Sequence, residues 1–88
     1  MKRYFLSYNS LTKSYYLDYG CFDRNREVLG QIDEKKLVNT LMNKLPLQRD
    51  VLIYTQKNLE DSLRKIFLDS FKNTRIKFQF EKNLESLC

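Results

Sequence analysis

The sequence predicts an α/β fold in which one mixed sheet of five strands is combined with two main helices, in the order βββαβαβ. Three observations predict it. The first third of the chain is rich in aromatic residues and alternates in the manner of strands. Two later segments carry apolar residues at the spacing of one helix face. A short apolar run separates them. The 88 residues are expected to form a single domain over 1–88, because two separate cores would not fit.

The first three strands are predicted over residues 3–9, 15–22 and 27–32. The second, "YYLDYGCF", contains the aromatic residues that pleated surfaces favour. The turn "DRNR" at 23–26 follows it, and its Asp and Asn tolerate the backbone angles of a tight turn. Because the connections are short, these strands are expected to form an antiparallel meander.

The first helix is predicted over 34–45. Asp33 is a good N-cap, because its carboxylate can accept from the amides of the first turn. Pro46 ends the helix, since proline disfavours helical backbone in the residue before it. One apolar stripe at helical spacing is formed by Leu37, Val38, Leu41, Met42 and Leu45.

The second half predicts a strand at 50–55, a helix at 59–72 and a strand at 75–81. The run Val51–Tyr54 suggests a strand buried on both faces, and Asn58 is the expected cap of the second helix. "RIKFQFEK" alternates cleanly, which is typical of an edge strand with one wet face. "NLESLC" can add one helical turn. The two βαβ units imply parallel strands with right-handed crossovers; an α+β ferredoxin-like sandwich is the alternative fold.

The composition favours binding to an anionic partner and disfavours catalysis that depends on histidine. The 16 Lys and Arg residues against 11 Asp and Glu give a net charge of +5, which favours anionic partners such as nucleic acid or an acidic protein surface. No histidine is present, so the commonest general base and metal ligand is missing. Cys21 and Cys88 lack metal-ligand spacing. With no secretory segment or membrane span in the sequence, we expect a cytoplasmic protein with no membrane contact.

Two stretches resemble the ribonuclease H-like superfamily. "YYLDYGCFDRNREVLG" is similar to the hairpin between its second and third strands, and "KKLVNTLMNKLPLQRDVLIYTQKNLEDSL" to its first helix, fourth strand and second helix. The order of elements matches as well. Active members of that superfamily hold two metal ions in a cluster of Asp and Glu residues, and the metals activate water.

The resemblance implies that the metal-binding acids are absent from this chain. By pattern, their positions fall on Tyr8 or its neighbours Ser7 and Asn9, on Lys36, and on Gln56. Hard divalent cations need several anionic oxygens together, and these residues supply none. We therefore expect a degenerate member with no catalytic residues, no metal and no cofactor. A plainer role is also open for Gln56, namely a hydrogen bond to backbone where strand becomes helix.

The candidate nucleic-acid-binding residues are four cations and two tyrosines that could track phosphates and stack bases: Arg24, Arg26, Arg75, Lys77, Tyr15 and Tyr16. Each has a plainer interpretation. Tyrosines in strands are usually packed, and charges on an edge strand discourage pairing. Asp18, Asp23 and Glu27 are expected to be solvated charges beside Arg24 and Arg26.

Two functions follow from these features. The first is a small, basic, non-catalytic binding module that contacts nucleic acid or a nucleoprotein. The alternative is a protein-binding inhibitor or adaptor, of the kind that phages and mobile elements encode, which docks on a partner through an exposed edge strand or the C-terminal tail.

Overall fold

The computed structural model describes residues 1–87, which form one mixed sheet of five strands with two α-helices. The strands are β1 (Lys2–Asn9), β2 (Ser14–Tyr19), β3 (Glu27–Gly30), β4 (Val51–Gln56) and β5 (Ile76–Glu81); the helices are α1 (Glu34–Lys44) and α2 (Glu60–Ser70). Short 3-10 turns lie at Lys57–Leu59 and Leu84–Leu87. The predicted order of elements is confirmed, and it differs from the βαββαβ order of a ferredoxin-like sandwich.

The strands are arranged in the order β3-β2-β1-β4-β5. The short turns make β1 and β2, and β2 and β3, antiparallel neighbours. The helical crossovers make β1 and β4, and β4 and β5, parallel neighbours. As a result β1, β3, β4 and β5 all start at one edge of the sheet, and β2 ends there.

Both helices pack on the same face of the sheet. A single cluster contains Leu41 of α1, Leu63 of α2, and Leu6 and Ile53 of the central strands, all fully buried. The opposite face, which we call the open face, carries Phe5 and other side chains outside that cluster. Burial therefore alternates along β4. The expectation of a strand buried on both faces is wrong, because helices cover only one of them.

The two helices begin differently. Asp33 caps α1 as predicted, and its Oδ1 accepts a hydrogen bond of 2.8 Å from the backbone N–H of Lys36. Asn58 does not cap α2, because it lies within the 3-10 turn that precedes the helix. Leu59 occupies the N-cap position and makes no side-chain cap bond. Neither helix, nor any other in residues 1–87, has the length and apolar character needed to cross a membrane.

Two predicted strands end early because glycines turn the chain. Gly20 has φ +85° and Gly30 has φ +92°, angles that favour glycine. Cys21, within the predicted second strand, is therefore half-buried in a turn.

Ile76, Phe78 and Phe80 face the helices, and β5 is an edge strand as predicted. Leu84 starts the expected C-terminal turn, and Cys88 lies outside the described residues.

Candidate functional site

Charge is distributed unequally between the two ends of the sheet. The edge at which the parallel strands start, which we call the amino edge, consists of residues 1–3, 20–26, 45–50 and 71–75. It carries seven Lys or Arg side chains against two carboxylates. The opposite carboxyl edge, formed by residues 10–13, 31–36, 57–61 and 81–87, carries five cations against six carboxylates. The net positive charge of the chain is therefore concentrated at the amino edge.

Backbone hydrogen bonds bring the segments of the amino edge together. Lys2 N–H donates to the Asp50 carbonyl at 3.2 Å, and Gly20 N–H donates to the Arg3 carbonyl at 2.9 Å. Val51 N–H donates to the Arg75 carbonyl at 3.4 Å. With neighbouring strands about 4.8 Å apart, the edge extends across roughly 19 Å. Cations distant in sequence thus form one row along the edge.

Five of the seven cations have no ion-pair partner among the residues that the structure describes. Arg75 contacts the Asp50 carboxylate with Nη2 at 2.8 Å, and Arg26 is also paired. The others make no ion pair within residues 1–87; they are Lys2, Arg3, Arg24, Arg49 and Lys72. All of these except the half-buried Lys2 are exposed. Their charges are available to a ligand.

Arg26 is held by an aspartate inside the protein. Asp18 is fully buried and accepts from Arg26 Nε at 2.8 Å, from Arg26 Nη2 at 2.9 Å and from the backbone N–H of Asp23. The guanidinium also lies 4.7 Å from the ring centroid of Tyr16 and 5.4 Å from that of Phe22. The hydrogen bond to Asp18 raises the pKa of Arg26. The expectation that Asp18 is a solvated charge is wrong, and Arg26 has a structural partner.

The two tyrosines predicted as stacking surfaces are not open rings. Tyr15 is only 7% exposed and packs against Tyr8, with ring centroids 4.8 Å apart; its burial raises its pKa. The prediction that it stacks on a base is wrong, because its ring belongs to the core. Tyr16 is half-buried beneath Arg26, and its hydroxyl contacts the Thr12 hydroxyl at 3.2 Å.

Three cations predicted from the sequence remain near the amino edge. Arg24 is exposed in the turn between β2 and β3, and Arg75 directly precedes β5. Lys77 is exposed on the open face, in register with Leu52, which in turn pairs with Arg3. Lys77 therefore extends the basic row one residue onto the sheet.

The sequence resemblance predicted a degenerate metal site at Tyr8, Lys36 and Gln56, and a hydrogen bond joins two of these residues. Gln56 Oε1 accepts a hydrogen bond of 2.9 Å from the backbone N–H of Tyr8. The paired register of β1 and β4 ends at Leu6 and Thr55, so the Gln56 amide adds one contact between the strands beyond it. Lys36 is exposed in the first turn of α1. Among residues 1–87, no three His, Cys, Asp or Glu side chains are arranged to hold a metal ion.

The comparisons with other proteins found no matching family model, no matching curated protein and no matching solved structure. The function of the chain is therefore inferred from its own surface.

Four of the unpaired cations lie outside the set predicted for binding: Lys2, Arg3, Arg49 and Lys72. Each lies within four residues of a strand that starts at the amino edge, and this position was the sequence signal that could have identified them.

Proposed function

We propose that this chain is a non-catalytic binding module that holds the phosphate backbone of a nucleic acid along its amino edge. The concentration of charge at that edge carries the proposal. The edge contains seven cations and only two carboxylates, and five of the cations have no ion-pair partner within the described residues. Unpaired cations in a row suit a polyanion, because each can neutralise one phosphate and release its counterions.

The chemistry of the edge favours binding without sequence selection. Its contacts come from Lys and Arg side chains at loops and strand ends, which position a phosphate backbone. Base readout would need open aromatic rings or a surface that enters a groove. Tyr15 is buried and Tyr16 is covered by Arg26, so neither supplies a stacking surface. The proposed affinity is therefore electrostatic.

The proposal includes the ribonuclease H-like relationship. The strand order β3-β2-β1-β4-β5, with its parallel pairs in the centre and at one side, supports it. In active ribonuclease H-like proteins, metal-binding acids lie near the carboxyl ends of the strands that correspond to β1 and β4. Here that region has the hydrogen bond between Gln56 and Tyr8 in place of an acidic cluster. Binding at the amino edge would thus use the surface opposite to the ancestral site.

The test is a salt titration of binding by fluorescence anisotropy, with labelled single-stranded RNA, single-stranded DNA and duplex DNA. If the five unpaired cations each contact a phosphate, log K falls with log salt at a slope of about −3.5 for a single strand. Affinity then drops roughly a hundredfold between about 50 and about 200 mM salt. Added Mg²⁺ or Mn²⁺ should produce no cleavage of any substrate.

A matched pair of double variants locates the site. Arg24→Gln/Arg49→Gln removes two charges from the amino edge, and Lys35→Gln/Lys36→Gln removes two from the carboxyl edge. We expect the first to reduce the salt slope by about 1.4 and the second to leave it nearly unchanged. Equal effects of the two pairs, or salt-insensitive binding, would contradict the proposal. No binding at low salt would favour the alternative of an inhibitor or adaptor that docks on a protein.

A further inference from the structure

The outer edge of β5 has no strand beside it within residues 1–87. Val51 N–H donates to the Arg75 carbonyl, so in this parallel ladder the backbone groups of the odd-numbered residues of β5 point toward β4. Those of Ile76, Phe78 and Phe80 point outward. This edge therefore offers unpaired donors and acceptors to an added strand.

Two copies of β5 can pair in antiparallel orientation with complementary side chains opposite each other. Residues 77–81 read "KFQFE". In an antiparallel pair centred on Gln79, Lys77 lies opposite Glu81 of a second copy and Phe78 lies opposite Phe80 of that copy. Both phenylalanines have outward-pointing backbone groups, so each Phe78–Phe80 pair exchanges two hydrogen bonds, four in all. Charge, side-chain type and backbone orientation are all favourable in this register.

Two charged side chains of β5, those of Lys77 and Glu81, lack an ion-pair partner among residues 1–87. Neither Lys77 nor Glu81 makes an ion pair within the described residues, although Gln79 Nε2 donates to Glu81. A pair centred on Lys77 would instead place two lysines opposite each other, and one centred on Glu81 would place two glutamates opposite each other. Like charges directly opposite are destabilising, so electrostatics disfavour these two registers, whereas the register centred on Gln79 places Lys77 opposite Glu81.

The helix side of β5 also has apolar surface to cover. A groove of about 610 Å³ lies between α2 and β5 and is lined by Phe71, Phe78 and Phe80, among others. Leu68 of α2 lines the same groove and is 63% exposed. A two-fold axis perpendicular to the sheet would place both helical layers on the same side, so that the grooves of the two copies face each other.

We propose that β5 pairs antiparallel with β5 of a second copy of this chain, forming a two-fold dimer with a continuous ten-stranded sheet. The contact is isologous, so it closes after two copies and does not propagate. Lysine on an edge strand commonly opposes such pairing; here the Glu81 of the second copy neutralises it. Lys77 belongs both to this contact and to the end of the basic row, but the five unpaired cations of the amino edge lie outside residues 77–81, so dimerisation and nucleic-acid binding can be measured separately.

The test is a charge exchange read by sedimentation equilibrium, with the full chain, a reductant against disulfide-linked dimers, and circular dichroism to verify folding. Lys77→Glu and Glu81→Lys should each weaken dimerisation roughly tenfold or more, since each creates two like-charge pairs. The double variant Lys77→Glu/Glu81→Lys should restore it. Within one chain these residues are about 13 Å apart along the strand, so restoration requires contact between copies.

Lys65→Glu is the matched control, because this exposed residue of α2 does not line the groove; we expect its dimer to be as stable as that of the unmodified chain. A monomeric unmodified chain at high micromolar concentration would overturn the proposal. A double variant no more dimeric than either single variant would also overturn it.

Discussion

Removal of Arg26 should destabilise the fold through the carboxylate it leaves behind. In Arg26→Met, the aliphatic side chain can still pack against Tyr16 and Phe22, but Asp18 loses two charge-assisted hydrogen bonds and retains the hydrogen bond from the Asp23 N–H. Breaking a buried ion pair in this way costs about 3–5 kcal/mol. The Arg26 side chain is 29% exposed, so water can approach the site. We therefore expect a cost near the lower limit, about 3 kcal/mol.

Removal of the other partner should cost less. Asp18→Asn preserves size and leaves an amide oxygen as an acceptor, and the freed guanidinium of Arg26 can turn toward solvent. We expect about 1–2 kcal/mol from the weakened hydrogen bonds. The double variant Asp18→Asn/Arg26→Met contains no buried charge at this site, so it should be more stable than the sum of the two single losses implies.

Urea denaturation followed by circular dichroism gives the free energy of unfolding of all four proteins. For a chain of this size, the expected loss in Arg26→Met corresponds to a decrease in Tm of roughly 12–24 °C. The coupling free energy from the cycle should exceed about 1 kcal/mol. Additive losses, or a loss below about 1 kcal/mol in Arg26→Met, would refute the view that this ion pair stabilises the open face.

Three further predictions concern single hydrogen bonds and one carboxyl group. Gln56→Leu should lower the free energy of unfolding by about 1 kcal/mol, since it leaves the Tyr8 N–H without its acceptor; Gln56→Glu keeps an acceptor, and equal losses in the two would contradict this role. Asp33→Ala should lower the free energy of unfolding in urea by about 1 kcal/mol, because the N-cap of α1 is lost. Asp33→Asn keeps a capping oxygen and should cost little. An alanine variant as stable as the unmodified chain would contradict this prediction. Glu60 has its pKa lowered, first by hydrogen bonding to Lys57. Its stabilising contribution is therefore present above its ordinary pKa near 4.5 and is lost as pH falls through the lowered value. Acid titrations should accordingly show a shallower loss of stability in Glu60→Gln; parallel curves would count against the shift.

The order of elements could be predicted because it depends on local periodicity. Alternation defined β5, and a helical stripe with an aspartate before it defined α1 and its cap at Asp33. The limits of β2 and β3 were less predictable. Gly20 and Gly30 adopt positive φ and end those strands, and glycine within an aromatic run does not by itself indicate where pairing stops.

The candidate site was predictable in composition and not in arrangement. The excess of Lys and Arg indicated an anionic partner, but Arg26 and Asp18 were expected on the surface. Asp23 and Asn25 adopt left-handed backbone angles in the turn between β2 and β3, and the same turn leads to Arg26, whose guanidinium lies over Tyr16 and pairs with Asp18. That ion pair depends on how the turn places Arg26 relative to the open face, which residue type alone does not reveal.

By itself, the sequence determined the types of the elements, their order and the sign of the net charge, because these follow from short-range patterns and from counting residues. Only the tertiary structure decided which charges act together. Parallel strands joined by helices return to the same edge after each crossover, so Lys2 and Arg75 lie along one row although they belong to opposite ends of the chain. The same packing covers one face of the sheet with both helices and leaves the outer edge of β5 open to a second strand.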